Sequence, residues 1–258
     1  MTSNKIPCKY YANEILEKVR MSDNKKKLMI LSVGDDPASQ SYIKGKIKDC
    51  EYCNVPYEHI KCSPNNVLTN IWYGNKNPEV GGIIVQLPLP DGMNEDYYLD
   101  KIFLKKDVDG FRENSPYLPC TPEGIMYILY KELGCLSGKV ALIVGRGRLV
   151  GQPISKMLLE KDCTVIVAHS KTKDLPELIK IADIIVSGVG KPNTVDCAYC
   201  KPGAIVIDAG INRNEHNKLV GDCYNFKEDI RYTPVPGGVG LMTRAMLMSH
   251  MIGYNITD

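Results

Sequence analysis

Apolar runs of strand length alternate along this chain with segments whose apolar residues recur at helical spacing. Residues 28–33, apolar but for Ser32, read as a buried strand that ends in Gly34-Asp35-Asp36-Pro37, a turn-forming string. A helix is expected from about residue 39 to 53, with Ser39 capping its start and Asn54 taking a left-handed exit. Residues 55–61 read as a weaker strand, 66–73 as a helix, and 82–86 as an apolar strand with polar Gln86 at its end. Strands apolar on both faces predict a parallel sheet covered by helices.

A second series follows. Thr121 is expected to cap a helix with Pro122 at its first position. Ile125, Ile128, Leu129 and Leu133 keep helical spacing, and Gly134 ends it. Strands are expected at 139–144, 164–168, 183–187 and 204–208, with a Gly-rich turn and a helix at 153–160 after the first of them. That alternation predicts a doubly wound α/β fold. Pro234-Val235-Pro236-Gly237-Gly238-Val239-Gly240 breaks the pattern, and Thr243 is expected to cap a last helix of about ten residues. The expected organisation is α/β with two domains: residues 1–120, rejoined by a helix from 241–258, and residues 121–240.

Composition narrows the class. With 258 residues, 44% of them hydrophobic and 24% charged, the chain is globular rather than disordered or collagen-like. The 32 basic and 30 acidic residues leave a net charge of +2, so no global footprint for nucleic acid or an anionic membrane exists. Lys25-Lys26-Lys27 and Lys105-Lys106 read as solvated faces beside loops. The apolar runs near 83–87 and 141–144 are far too short for a membrane span. Met1 to Lys9 show no apolar leader, so a reduced, cytoplasmic setting is expected for the ten cysteines. Two Cys-x-x-Cys pairs, Cys50/Cys53 and Cys197/Cys200, could together hold structural zinc, but the first falls inside a predicted helix. The four histidines lack metal-ligand spacing, and no metal is expected.

Four places carry candidate chemistry. Val144-Gly145-Arg146-Gly147-Arg148-Leu149-Val150-Gly151 follows an apolar strand and opens a helix, the context of a dinucleotide-binding turn. The next strand ends in Ala168-His169-Ser170-Lys171, with no carboxylate before Asp174. A ribose 2′-hydroxyl is normally held by an acid there. A hydroxyl, a lysine and upstream Arg146 suit a 2′-phosphate instead, so NADP is favoured over NAD. Tyr42 and Lys46 lie one helical turn apart and share a face, where a ring could stack on a flat substrate and an amine could act as a base. Read alone, Lys46 could equally form a surface ion pair with Asp49. Gln86 ends a buried strand, where ligands of open α/β sheets bind. Asp107 and Asp109 flank a turn, where a buried acid could accept hydrogen bonds from a pterin-like ring or simply serve the turn.

Taken in order, these strings become specific. Gly34-Asp-Asp-Pro-Ala-Ser39, Tyr42-x-x-x-Lys46-x-Lys48, Gly82-Ile-Ile-Val-Gln-Leu-Pro-Leu-Pro90 and Lys106-Asp-Val-Asp-Gly110 are followed by Pro119-Cys-Thr-Pro-Glu-Gly124, Gly145-Arg146, Val150-Gly-Gln-Pro153 and His169-Ser170. Asp208-Ala-Gly-Ile-Asn212 and Thr233-Pro-Val-Pro-Gly-Gly-Val-Gly240 complete the set. The chain resembles the bifunctional methylenetetrahydrofolate dehydrogenase/methenyltetrahydrofolate cyclohydrolase family over about residues 27 to 253.

The resemblance implies an N-terminal α/β folate domain, a Rossmann-type NADP domain and a cleft between them. It implies NADP-dependent oxidation of 5,10-methylenetetrahydrofolate, hydrolysis of the methenyl product to 10-formyltetrahydrofolate, and a place in one-carbon metabolism and purine biosynthesis. By motif, Lys46 corresponds to the catalytic lysine, Tyr42 to the ring that stacks on the substrate, Gln86 to the glutamine that tunes the lysine, and Asp109 to the carboxylate that holds the pterin. Val85, Leu87, Pro236, Gly237, Gly238 and Val239 correspond to further substrate contacts. Gly145, Arg146, Gly147, Val150, Gly151, His169, Ser170, Gly210 and Ile211 correspond to cofactor contacts. A homodimer through the cofactor domain is implied. The chain departs from the family at Gly147, where serine is usual, at Leu241, where proline is usual, and over 111–118, which is shorter. Two alternatives stay open: a monofunctional dehydrogenase or cyclohydrolase, and a non-catalytic folate or nucleotide sensor on the same scaffold.

Overall fold

The computed structural model describes residues 4–254; residues 1–3 and 255–258 of the expected domains lie outside them. Contacts divide the chain into two compact units. One comprises the chain up to Ala12 together with Thr121–Thr243; the other comprises Asn13–Cys120 and resumes at Arg244. No described helix is long and apolar enough to cross a membrane.

The chain enters through helix α1 (Cys8–Met21), which the sequence reading left unassigned. Its signal is nonetheless present: Cys8, Ala12, Ile15, Leu16 and Val19 are buried and fall on one helical stripe. There follow β1 (Lys27–Val33), α2 (Pro37–Cys53), β2 (Tyr57–Cys62), α3 (Val67–Lys76), β3 (Val80–Val85) and the short α4 (Glu95–Leu99). The strands pair in parallel in the order β2-β1-β3, so their carboxyl ends share one edge. Met29, Leu31, Ile83 and Val85 pack with Val67 and Ile71 of α3 on one face of this sheet. Burying each such side chain is worth about 1.5–3 kcal/mol.

Helix α2 begins earlier than expected, and its cap is Asp36 rather than Ser39. The Asp36 carboxylate accepts the Ser39 backbone N–H at 2.7 Å, and Pro37 takes the first turn. The carboxylate meets the orphan N–H that a Ser39 cap would have left inside the helix. Asn54 does exit left-handed, at φ 53° and ψ 37°. Cys50 and Cys53 are packing groups: Cys50 Sγ donates to Met248 Sδ and Cys53 Sγ to the Leu16 carbonyl. Burial pushes both thiols up to about 12.

The other unit contains α5 (Cys120–Leu133), β4 (Val140–Val144), α6 (Gly151–Leu159), β5 (Thr164–Ala168), α7 (Leu175–Ile181), β6 (Ile184–Ser187), β7 (Val195–Asp196) and β8 (Ile205–Asp208). Short strands β9 (Asn212–Arg213), β10 (Leu219–Val220), β11 (Cys223–Tyr224) and β12 (Arg231–Tyr232) precede α8 (Val239–His250). Five strands pair in parallel in the order β12-β8-β6-β4-β5. Their carboxyl ends carry the glycine turn after β4, His169 after β5 and Asp208 at the end of β8. Leu142, Val144, Ile185 and Val206 form the centre of this unit's core.

Two expected caps are corrected. Cys120 is already helical in α5, and the Thr121 hydroxyl instead meets the Thr243 hydroxyl at 2.9 Å. Thr243 lies inside α8, with its hydroxyl turned back to the Val239 carbonyl at 3.1 Å. A threonine within a helix can return its hydrogen bond one turn back, so residue type alone does not place it at an end.

Candidate active site

In the unit built on β1 to β3, the side chains singled out by sequence converge. Lys46 is buried, 6% exposed, and its Nζ donates to Gln86 Oε1 at 3.1 Å. Gln86 is the first residue beyond β3, not its last. Its backbone N–H still reaches the Leu31 carbonyl at 2.8 Å, which pins it to the sheet edge. Its side-chain Nε2 donates to the Leu87 carbonyl at 2.7 Å. With the amide nitrogen committed there, the amide oxygen faces Lys46. Tyr42, one turn before Lys46 on α2, is half-buried; burial raises its phenol pKa, opposed by the nearby Arg244 charge.

Asp107 and Asp109 divide the two roles considered for that turn. Asp107 serves the chain, accepting the Arg112 N–H at 2.9 Å and the Phe111 N–H at 3.4 Å. Asp109 does not. Burial raises its carboxyl pKa, opposed first by the Lys46 charge, raised further by Asp107 and lowered by His250. Asp109 and Lys46 are thus in electrostatic reach of each other. The Lys46–Asp49 surface pair is corrected: Asp49 Oδ2 takes Arg244 Nε at 2.9 Å. Gly45, one turn before Asp49 on α2, leaves room for the Arg244 guanidinium, which an added Cβ there would strike. Arg244, which no local pattern marks, releases Lys46 from Asp49.

Pro236, Gly237, Gly238 and Val239 belong by contacts to the other unit. Gly237 has φ 98°, and an added Cβ on Gly238 would strike the Pro234 carbonyl, so the turn tolerates little besides glycine there.

In the five-stranded unit, a cavity of about 640 Å³ opens at the carboxyl ends of β4 and β5. Gly145, Arg146, Gly147, His169 and Ser170 line it. Val150 and Gly151 build its floor from behind. An added Cβ on Gly151 would collide with the Gly145 carbonyl, and one on Gly188 would press on Val150. Gly145 itself has φ 111°. Gly210 and Ile211 do not line this cavity; they sit in the turn after β8. Lining residues outside the expected set include Thr172, Leu175, Gly188, Val189, Lys191, Asn193 and Thr194. Thr172 hydroxyl accepts the His169 N–H at 2.8 Å and shapes the turn after β5.

The missed segment is held by one buried carboxylate. Asp222 Oδ2 accepts from Ser187 Oγ at 3.0 Å, Val189 N at 2.7 Å and Gly190 N at 3.2 Å. Its Oδ1 accepts from Lys191 N at 3.0 Å and Asn212 Nδ2 at 2.9 Å. Asp208 lies beside it, accepting the N–H groups of Gly210, Asp222 and Cys223. Burial raises the Asp208 pKa, while those three N–H groups oppose the shift. The visible trace of this arrangement is a pair of glycines: added Cβ atoms on Gly210 and Gly221 would strike Asp222 and Asp208 respectively.

This cavity fits a dinucleotide phosphate. Its glycine turn leaves room for backbone approach to a pyrophosphate, and the start of α6 points at it. Arg146, Lys191 and the hydroxyls of Ser170 and Thr172 supply groups for an extra phosphate, with no carboxylate in the lining. The fold and the two sets of groups define a dinucleotide-dependent α/β oxidoreductase with a separate lysine-centred site.

Comparison with known proteins narrows the class. Residues 5–109 match the catalytic domain of tetrahydrofolate dehydrogenase/cyclohydrolase, and residues 119–256 match its NAD(P)-binding domain. The chain is 43% identical over 242 residues to the bifunctional protein FolD of Agathobacter rectalis, covering 87% of this chain and 86% of that protein. The crystal structure of the bifunctional FolD methylenetetrahydrofolate dehydrogenase/cyclohydrolase from Campylobacter jejuni superposes with a TM-score of 0.90 at 38% identity, covering 96% of each chain. FolD of Trypanosoma brucei, solved with NADP and an inhibitor, gives a TM-score of 0.86 at 29% identity, covering 95% of this chain and 93% of that one. This chain belongs to the tetrahydrofolate dehydrogenase/cyclohydrolase family.

Proposed function

We infer that this chain oxidises 5,10-methylenetetrahydrofolate to 5,10-methenyltetrahydrofolate with NADP and hydrolyses that product to 10-formyltetrahydrofolate. Bound NADP supplies the hydride acceptor for the bridging methylene carbon. Around that carbon, the chain's own residues orient substrate and move a proton. The Tyr42 ring stacks against the substrate's aromatic portion, and the Asp109 carboxylate accepts hydrogen bonds from the pterin. In hydrolysis, water adds to the methenyl carbon and Lys46 Nζ takes one of its protons; the remaining hydroxyl proton passes to the departing ring nitrogen as that carbon–nitrogen bond opens, leaving the formyl group on the other nitrogen. Gln86 holds that amine in position. Val85 and Leu87 on either side add substrate contacts, and Pro236, Gly237, Gly238 and Val239 are assigned to the substrate by their family motif.

The cofactor is held by Gly145, Arg146, Gly147, His169 and Ser170, with Val150 and Gly151 shaping the turn; Gly210 and Ile211, in the turn after β8, are assigned to it by their family motif. Arg146 reads the 2′-phosphate. The observation that carries the reading is the 3.1 Å contact of buried Lys46 with Gln86, within electrostatic reach of Asp109. A sensor needs no such positioned base. Parallel turnover assays of both steps on one preparation, with NADP and NAD compared, test it. Two rates with NADP preferred are expected; one missing rate would leave a monofunctional enzyme, and no turnover at micromolar enzyme a binding protein.

We take the folate domain as residues 1–120 with the returning 241–258 helix and the NADP domain as residues 121–240, although contacts group the described residues up to Ala12, and those as far as Thr243, with the NADP unit. The enzyme works in the cytoplasm, a reading supported by nine buried free cysteines. It acts as a homodimer through the NADP domain, where β5 is an edge strand pairing only with β4 and leaves Val167 41% exposed. Light scattering that gives a monomer mass would dismiss the dimer.

A further inference from the structure

A second cavity, of about 450 Å³, opens in the unit built on β1 to β3. It lies at the amino ends of β1 and β3, where Lys26, Val80 and Gly81 line it. Gln86 follows the carboxyl end of β3, so the cavity occupies the opposite end of the sheet from Lys46. No residue given a folate or cofactor role above lines it.

Its chemistry is cationic. Lys26, Lys76, Lys105 and Lys106 line the wall, and none of its lining residues is an aspartate or glutamate. Lys106 is 6% exposed, and its Nζ donates to the carbonyls of Gly74 and Asn77, each at 2.7 Å. An ammonium has three donors, so one N–H of this rigidly held group is left for a ligand. Lys26 and Lys105 form no ion pair among the described residues, although Lys27 beside Lys26 pairs with Glu58 and Glu79. Lys76 rests over the Phe103 ring rather than on a carboxylate. Lys105 and Lys26 stand close enough to Lys106 to lower its pKa, beyond the effect of burial. Like charges gathered without acids oppose one another in the folded chain, and an anion relieves that repulsion. Tyr117, half-buried, adds a ring to the wall and is backed by buried His250, on which it stacks at 4.6 Å and 23°.

We propose that this cavity is an anion site for a di- or triphosphate group, set apart from the cofactor cavity. Phosphate chains match the observations better than a single carboxylate, because four lysines line a volume large enough for a nucleotide-sized ligand. The source is an inorganic polyphosphate or a phosphorylated organic molecule whose ring rests on Tyr117.

Calorimetric titration of the NADP-loaded protein with tripolyphosphate and with ATP, both without magnesium, tests the proposal. Loading with NADP keeps the probes out of the Arg146 cavity. One site is expected, weakening as sodium chloride is raised. The double variant Lys26→Glu/Lys105→Glu should bind about tenfold or more weakly. Both positions are exposed, so this variant is expected to melt at the wild-type temperature or above, and buried Lys106 is left in place. Tighter ATP than tripolyphosphate supports the site and assigns it to organic ligands; equal affinities support it and assign it to the phosphate chain. Absence of binding, or equal affinity in the double variant, overturns it.

Discussion

Lys46 and Gln86 meet as side chains from positions 40 apart, whereas Gly145 and Gly151 contribute through the side chains they lack. The two units thus build their sites from different materials. In the folate unit, the working groups are polar side chains oriented by one another: Gln86 by the Leu87 carbonyl, Lys46 by Gln86, and Arg244 by Asp49. In the NADP unit, the working surface is mostly backbone, and its acids hold main-chain N–H groups in shape. Asp222 is fully buried and satisfied by five donors, three of them N–H groups of residues 189–191. A site of side chains can be silenced by one functional group. A site of backbone fails through shape, and its failure should spare the other reaction.

The largest break should come in the folate unit. Lys46→Gln removes the proton acceptor and is expected to lower methenyl hydrolysis by about 10²–10⁴-fold. The melting temperature should hold, because glutamine can still meet Gln86. An unchanged hydrolysis rate would take Lys46 out of the chemistry.

Gly151→Ala tests the opposite unit. The new Cβ meets backbone atoms of Gly145 and Arg146, which cannot step aside as a side chain would. A strain of about 1–3 kcal/mol at the turn corresponds to roughly 5- to 150-fold weaker NADP binding. Hydrolysis of supplied methenyltetrahydrofolate should continue. Loss of both activities together would show that the two sites are not separable in this way.

Asp222→Asn replaces an acceptor of five hydrogen bonds by an amide that must aim a donor at other donors. We expect the Michaelis constant for NADP to rise about tenfold, since a hydrogen bond to a charged group is worth about 1.5–3 kcal/mol. A merely structural role would lower both activities equally; retention of hydrolysis identifies a positioning role. Arg146→Ala should raise the Michaelis constant for NADP by about tenfold, the loss of one charge-assisted contact, and that for NAD little. Equal changes would mean that Arg146 does not read the 2′-phosphate. The smallest effect runs in the favourable direction. Gly147 lines the cofactor cavity, its φ is ordinary, and nothing lies within 4 Å of an added Cβ. Gly147→Ser can therefore add a hydroxyl for phosphate at no steric cost, lowering the NADP Michaelis constant by about two- to tenfold.

Much of this was legible before folding was considered. The central strands of both sheets declare themselves as apolar runs because both faces are covered, and the glycine turn declares itself because only glycine allows the backbone so close. α1 was missed although its apolar stripe is present, because the stripe is interrupted by cysteine and alanine rather than built of large aliphatics. Strands β7 and β9 to β12 span two residues each and have no period to detect. Start positions slipped at α2, α5 and α8: Asp36 and Ser39 could both cap α2 and geometry chose Asp36, while the one nearby threonine at α5 and at α8, Thr121 and Thr243, already lies within its helix.

The sequence by itself determined the α/β class, the order of strands and helices, the glycine turn that receives NADP, and the identities of Tyr42, Lys46, Gln86 and Asp109. These are local strings or periodic patterns, carried by neighbouring residues. Only the tertiary structure decided which partner each charge takes. Lys46 had an acid within one turn of its helix and a glutamine 40 positions away, and it pairs with the glutamine because Arg244 claims Asp49. Asp222 had no local mark beyond a preceding glycine, and it became the anchor of the 187–191 segment because the fold buries it among N–H groups that water cannot reach. Hydrogen bonds and charges are settled by distance in space and by burial, neither of which is written in the spacing along the chain.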